Sequence, residues 1–121
     1  MPRLSDSEWQ VLTALWDSGG ASLGEVVEAL RPATGWSRNT VLTYLTRMEK
    51  KGLVAIDKEG YPHRYRAALD QDACRAQERR SFLQRVYQGS AGDLVAAFLK
   101  EEPLPPEERA RLRKLLDEME V

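Results

Sequence analysis

The sequence predicts a mainly α chain with one small β-hairpin, and three observations carry that prediction. Three amphipathic stretches at helical spacing come first, each behind a serine in a capping position. Two short strand-like runs around a turn follow them. Three further helical stretches close the chain. The 121 residues suffice for one core and a helical extension. The expected division is 1–68 for the first three helices and the hairpin, and 69–121 for the helical remainder.

Ser5 and Glu8 have capping-box spacing, with Leu4 and Trp9 placed to close a hydrophobic staple. Trp9, Leu12, Leu15 and Trp16 mark the buried face of this first helix, and Asp17-Ser18-Gly19-Gly20 stops it. Ser22 and Glu25 repeat the capping spacing ahead of a stripe of Leu23, Val26, Val27 and Leu30. Arg31-Pro32 is expected to end this second helix, because proline pushes the residue before it out of the α region. Ser37 caps a third helix that runs to about Lys51, with Gly52 just beyond it.

Leu53-Val54-Ala55-Ile56 reads as a strand. Asp57-Lys58-Glu59-Gly60 reads as a turn in which Gly60 is able to take a positive φ. Residues 61–67 return as a second strand, which Pro62 marks as an edge by removing a ladder donor. Asp70 then caps a fourth helix to about Gln88, stopped by Gly89. Residues 93–101 form a shorter, mostly apolar helix, broken by Pro103, Pro105 and Pro106. A last helix over 107–120 carries Leu112, Leu115, Leu116 and Met119 on one side. Helix, helix, helix, hairpin is the order of a winged helix-turn-helix. The full fold class is therefore a mainly α protein with an N-terminal winged helix-turn-helix and a C-terminal helical region.

Net charge is only −1, so any charged site is local. Residues 37–68 hold seven basic side chains (Arg38, Arg47, Lys50, Lys51, Lys58, Arg64 and Arg66) against three acidic ones, Glu49, Asp57 and Glu59. Such an island fits an anionic partner or an ordinary solvated face. No apolar run approaches transmembrane length, and the opening residues lack the apolar core of a signal peptide. A single cysteine excludes an intrachain disulfide and suits a reducing compartment, so a cytoplasmic location without membrane insertion is expected. One His and one Cys make no zinc site, no Ser-His-Asp set or phosphate loop is evident, and neither an enzyme nor a cofactor is expected.

Placed on a wheel at about 100° per residue, the third helix separates two faces. Asn39, Thr43, Thr46 and Lys50 share one stripe, with Arg47 beside it, while Val41, Tyr44, Leu45 and Met48 lie opposite. Small polar residues permit close approach to base edges. Asn suits adenine, Thr offers a hydroxyl and a methyl, and Arg grips guanine or phosphate. Asn39, Thr40, Thr43, Thr46 and Arg47 are thus candidates to face a major groove. Arg38, Lys50, Lys51, Lys58, Arg64 and Arg66 are candidates for backbone phosphates. Leu42 flanks the stripe and is expected to pack on the second helix, with contact to a thymine methyl as the alternative. A winged helix used only to bind another protein is the alternative, and salt dependence separates the two.

The chain resembles the penicillinase and methicillin-resistance repressor (BlaI/MecI) family. The resemblance lies in residues 4–12, in Leu15-Trp16, in 40–52, in the hairpin to Tyr65, in 82–89, and on through Leu94-Val95 to Leu115-Leu116. It implies a homodimeric transcriptional repressor on a palindromic operator, with double-stranded DNA contacted from Thr40, Thr43 and Arg47. A basic contact of the resistance repressors falls on Leu42 here. The resemblance also implies that the C-terminal helices form the dimer, which agrees with the apolar excess in 94–99 and 112–119. The candidates are Phe82, Val86, Leu94, Val95, Phe98, Leu112, Leu115, Leu116 and Met119. In the resistance repressors an Asn-Phe bond in the fifth helix is cut on induction, and a membrane-bound sensor metalloprotease is the implied partner. The matching pair here is Ala97-Phe98, which keeps the Phe and lacks the Asn. The cysteine-rich copper motif of some relatives is missing, and Cys74 stands alone. A helix terminus can activate such a thiol, but an ordinary helix residue is the expectation. His63, in the hairpin, is expected to be a solvated residue, with a phosphate or minor-groove contact as the alternative.

Overall fold

Capping decides where the N-terminal helices start in the computed structural model, which describes residues 3–101 and 103–119. Ser5 Oγ accepts the Glu8 N–H at 3.2 Å and Glu8 Oε1 accepts the Ser5 N–H at 2.9 Å, opening helix α1 (Asp6–Ser18). Ser22 and Glu25 make the same reciprocal box ahead of α2 (Leu23–Thr34). Ser37 accepts the Thr40 N–H and opens α3 (Arg38–Lys50). Beyond Lys51, Gly52 takes a φ of 80°. Its N–H donates to the Glu49 carbonyl, and the Leu53 N–H reaches back to Met48. This left-handed close turns the chain directly into the sheet.

Three strands form that sheet: β1 (Ala21–Ser22), β2 (Val54–Asp57) and β3 (Arg64–Ala67), in the antiparallel order β1-β3-β2. Ile56 pairs with Tyr65, and Ala21 pairs with Tyr65 from the other side. The return strand is therefore central, not an edge, and shorter than the expected 61–67. Pro62 lies ahead of the strand, after a cis Tyr61-Pro62 bond, so it removes no ladder hydrogen bond. Gly60 stays outside the left-handed region, since the bend is taken up over 58–63 instead of in a two-residue turn.

The second helix does not end at Arg31. Pro32 sits inside its last turn, and the helix runs to Thr34 before Gly35 closes it at φ 65°. A proline φ suits a helix, and the one bond lost is the donor to the Glu28 carbonyl, on an exposed residue where water can replace it. The Thr34 hydroxyl on the Leu30 carbonyl (2.8 Å) and the Gly35 N–H on Arg31 (3.0 Å) finish the end.

Val11, Leu12, Leu15, Val26, Leu30, Val41, Leu45 and Met48 bring the three helices together in one core, with Leu53, Val54 and Tyr65 supplied by the sheet. Trp9 and Trp16 pack against it at 6.1 Å between ring centroids, and Trp36 stacks on Tyr44 at 4.7 Å. The unit extends past the hairpin. Trp16 Nε1 donates to the Leu69 carbonyl at 2.9 Å, Asp70 accepts the Ala73 N–H, and Cys74 is buried in the core. Burial pushes the Cys74 thiol up, and the Asp70 charge pushes it the same way. That is the opposite of an activated thiol.

One charge is enclosed. Glu8 is buried, and Lys51 Nζ reaches its Oε2 at 3.0 Å. Burial raises the Glu8 carboxyl, but the Ser5 N–H and the Lys51 ammonium outweigh it and hold the group below its ordinary 4.5. A carboxyl that is lowered on folding adds stability above that ordinary value and loses it as pH falls through the folded value. Glu8→Gln should therefore cost about 1–2 kcal/mol at pH 7, and the gap to the wild type should narrow below about pH 4. Urea titrations of both proteins at pH 7 and pH 3.5 check this; an unchanged gap would show that the pair contributes no pH dependence.

Backbone packing divides the chain into Met1–Glu78 and Arg79–Val121, the division falling inside α4 (Gln71–Tyr87). Helices α5 (Ala91–Glu101) and α6 (Pro106–Glu118) complete the second unit. The fifth helix starts two residues earlier than expected, because Ser90 accepts the Asp93 N–H and caps it. The Glu120 expected to end the last helix lies outside the described residues.

Candidate nucleic-acid interface

The amphipathic wheel fixes how α3 is presented. Val41, Leu45 and Met48 are buried, and Tyr44 is held under Trp36. The opposite side is thereby turned outward, and Arg38, Asn39, Thr43, Thr46, Arg47 and Lys50 are all exposed. Asn39, Thr40, Thr43, Tyr44 and Arg47 line a shallow concavity of about 310 Å³ on this face. Thr40 is half-buried with its Oγ1 3.1 Å from Ser37 Oγ, and the Thr43 hydroxyl donates to the Asn39 carbonyl at 2.9 Å. Bonding of Thr43 back to its own helix leaves its methyl group and an oxygen lone pair for a partner.

The basic residues divide by what they already hold. Lys51 reaches Glu8 of α1, because a buried carboxylate requires a counter-charge, while most of its side chain stays exposed. Lys58 lies 3.8 Å from Glu49, and Arg64 lies 3.6 Å from Glu25 while also donating to the Gly20 carbonyl. These two pairs are exposed and long, so they are worth little. Arg38, Arg47, Lys50 and Arg66 have no ion-pair partner among the described residues. Alternation in β3 exposes Arg64 and Arg66 and buries Tyr65 between them. The hairpin tip carries Tyr61 beside His63, ring centroids 6.4 Å apart, both exposed. Sequence reasoning left Tyr61 unremarked, and its one usable signal was an aromatic next to proline in a turn.

The second unit presents a different surface. None of its described residues is buried. Phe82, Val86, Val95, Phe98, Leu99, Leu112, Leu115, Leu116 and Met119 are all exposed, and Leu94 is half-buried. Leu99 was not among the expected contact residues. Ala97 and Phe98 fall in the middle of α5, where the peptide bond between them is part of a regular helix. Among the described residues no group of His, Cys, Asp and Glu side chains could hold a metal ion, and no helix is long and apolar enough to cross a membrane.

Three helices, a three-stranded sheet and an outward α3 beside a basic hairpin define a winged helix-turn-helix protein. More narrowly, the chain belongs to the penicillinase repressor family, whose model matches residues 4–118. It is 32% identical over 118 residues to the penicillinase repressor of Bacillus licheniformis, covering 98% of this chain and 92% of that one. It is 28% identical over 114 residues to the methicillin resistance regulatory protein MecI of Staphylococcus aureus (strain N315), covering 94% and 93%. Among solved structures it is similar to monomeric Bacillus licheniformis BlaI in complex with the blaP half-operator. That match has a TM-score of 0.52 and 32% identity, over 59% of this chain and 87% of the other.

Proposed function

We propose that the protein is a homodimeric DNA-binding transcriptional repressor that occupies a two-fold operator and blocks polymerase by covering the promoter. One observation carries the reading: α3 turns Asn39, Thr43, Thr46 and Arg47 outward together while burying Val41, Leu45 and Met48. A face of small polar residues backed by a rigid core can enter a major groove. Thr40 joins the base-facing set at its margin. Arg38, Lys50 and Arg66 hold backbone phosphates, and Lys58 and Arg64 exchange their weak carboxylate partners for phosphate oxygens. Family membership and the operator-bound relative support the DNA partner.

The second unit supports the dimer. Leu112, Leu115, Leu116 and Met119 recur at helical spacing and stay exposed, as do Val95 and Phe98 of α5, with Phe82 and Val86 on α4. A unit with no buried residue among those described needs a covering surface, and a second copy supplies a matching one. Cleavage at Ala97-Phe98, after local opening of α5, would detach α6 and its stripe from the DNA-binding unit, which gives a sensor metalloprotease a way to relieve repression.

Selection of bound sequences from random duplex DNA at two salt concentrations tests the reading. The expected result is a palindrome with half-site centres about 34 Å apart or a multiple of that, and an affinity that falls steeply with salt. On the selected duplex, Arg47→Ala should lose about 1–3 kcal/mol and relax one base position. An equal loss on every sequence would make Arg47 a phosphate contact. Weak, salt-insensitive binding with no enriched sequence would make the protein an interaction module instead.

A further inference from the structure

In the first unit, Met1–Glu78, the exposed large hydrophobic side chains among the described residues are Leu42 and Tyr61. A lone exposed leucine requires no explanation. These two, however, are not scattered. They line one depression of about 420 Å³ between the start of α3 and the hairpin, with Arg38, Pro62 and His63 on its walls. Leu42 is 39% exposed on the flank of the reading face, one residue before Thr43 and one helical turn from both Asn39 and Thr46. Every other exposed residue of α3 is polar or charged. The two large apolar side chains that this unit leaves exposed thus lie together at the edge of the outward face of α3.

In the major groove the apolar group a base presents is the 5-methyl of thymine. We infer that Leu42 reads a thymine methyl next to the base contacted by Asn39, making this half-site thymine-selective at one position. Tyr61 closes the same apolar pocket from the hairpin side. The inference rests on the DNA-binding reading above and adds a specificity-determining residue to it.

Deoxyuridine pairs as thymidine does and lacks only that methyl, so the replacement removes the methyl without disturbing the base pair. Each thymine of the selected duplex is replaced in turn by deoxyuridine, and binding is measured for the wild type and for Leu42→Ala. One replacement per half-site should weaken the wild type by about fourfold, the worth of burying one methyl group. The same replacement should leave Leu42→Ala unchanged. If no position is methyl-sensitive, or if both proteins lose equally at the sensitive one, the assignment to Leu42 fails while the DNA reading stands. If the random library yields no enriched duplex, the DNA reading fails and the assignment with it.

Discussion

Phe98→Glu combined with Leu116→Glu should leave the protein monomeric and weaken its binding to a full operator by about 100-fold or more, the gain that joining two binding modules supplies. Phe98 is 55% exposed and Leu116 60%, so a carboxylate at either site stays in water in the single chain and costs the monomer little. In the dimer the same carboxylates would be shut into an apolar interface without partners, which opposes association strongly. Affinity for an isolated half-site should be unchanged, because α3 and its core lie in the first unit. Sedimentation velocity read together with titration of full and half operators separates the effects. A variant that stays dimeric, or that binds the full operator as tightly as the wild type, would remove the second unit from the interface.

The elements that the sequence made legible are those whose signal is local. A serine three residues before a glutamate identifies its own helix start, and both Ser5 and Ser22 cap as that spacing predicts. The split of α3 into a buried and an exposed side follows from helical periodicity alone, and all three residues buried there were on the expected side. What escaped depends on neighbours distant in the chain. Two residues cannot show strand alternation, so β1 exists only because β3 offers it a partner, and with it the supposed edge strand became the middle one. Lys51 looked like its basic neighbours until Glu8, 43 residues away, was brought beside it. The packing of Cys74 into the first core escaped for the same reason, since its burial depends on helices formed much earlier in the chain. Pro32 is the opposite case: a local rule for ending helices was overridden by the Thr34 and Gly35 bonds that close the last turn.

Leu45→Ala should destabilise the first unit by about 2–5 kcal/mol, the cost of emptying a leucine site in a core. Leu45 is fully buried on the back of α3, between Val41 and Met48, so a cavity there loosens the helix that carries the reading face. In a unit of this size each kcal/mol lowers the melting temperature by about 4–8 °C, and a fall of more than 10 °C is expected. The loss of DNA binding that accompanies it has a different origin from that of Arg47→Ala. Leu45 touches no partner; its removal weakens binding by depopulating the folded state, and a ligand that binds only that state restores it by mass action. Excess operator should therefore raise the melting temperature of Leu45→Ala substantially. Arg47→Ala, exposed and outside the core, should melt like the wild type and gain less from the same operator. Melting curves of the three proteins with and without operator make the comparison. If Leu45→Ala melts within a few degrees of the wild type, the core does not hold α3 in place, and the rigid face on which the DNA reading depends would have to be held by Trp36 on Tyr44 instead.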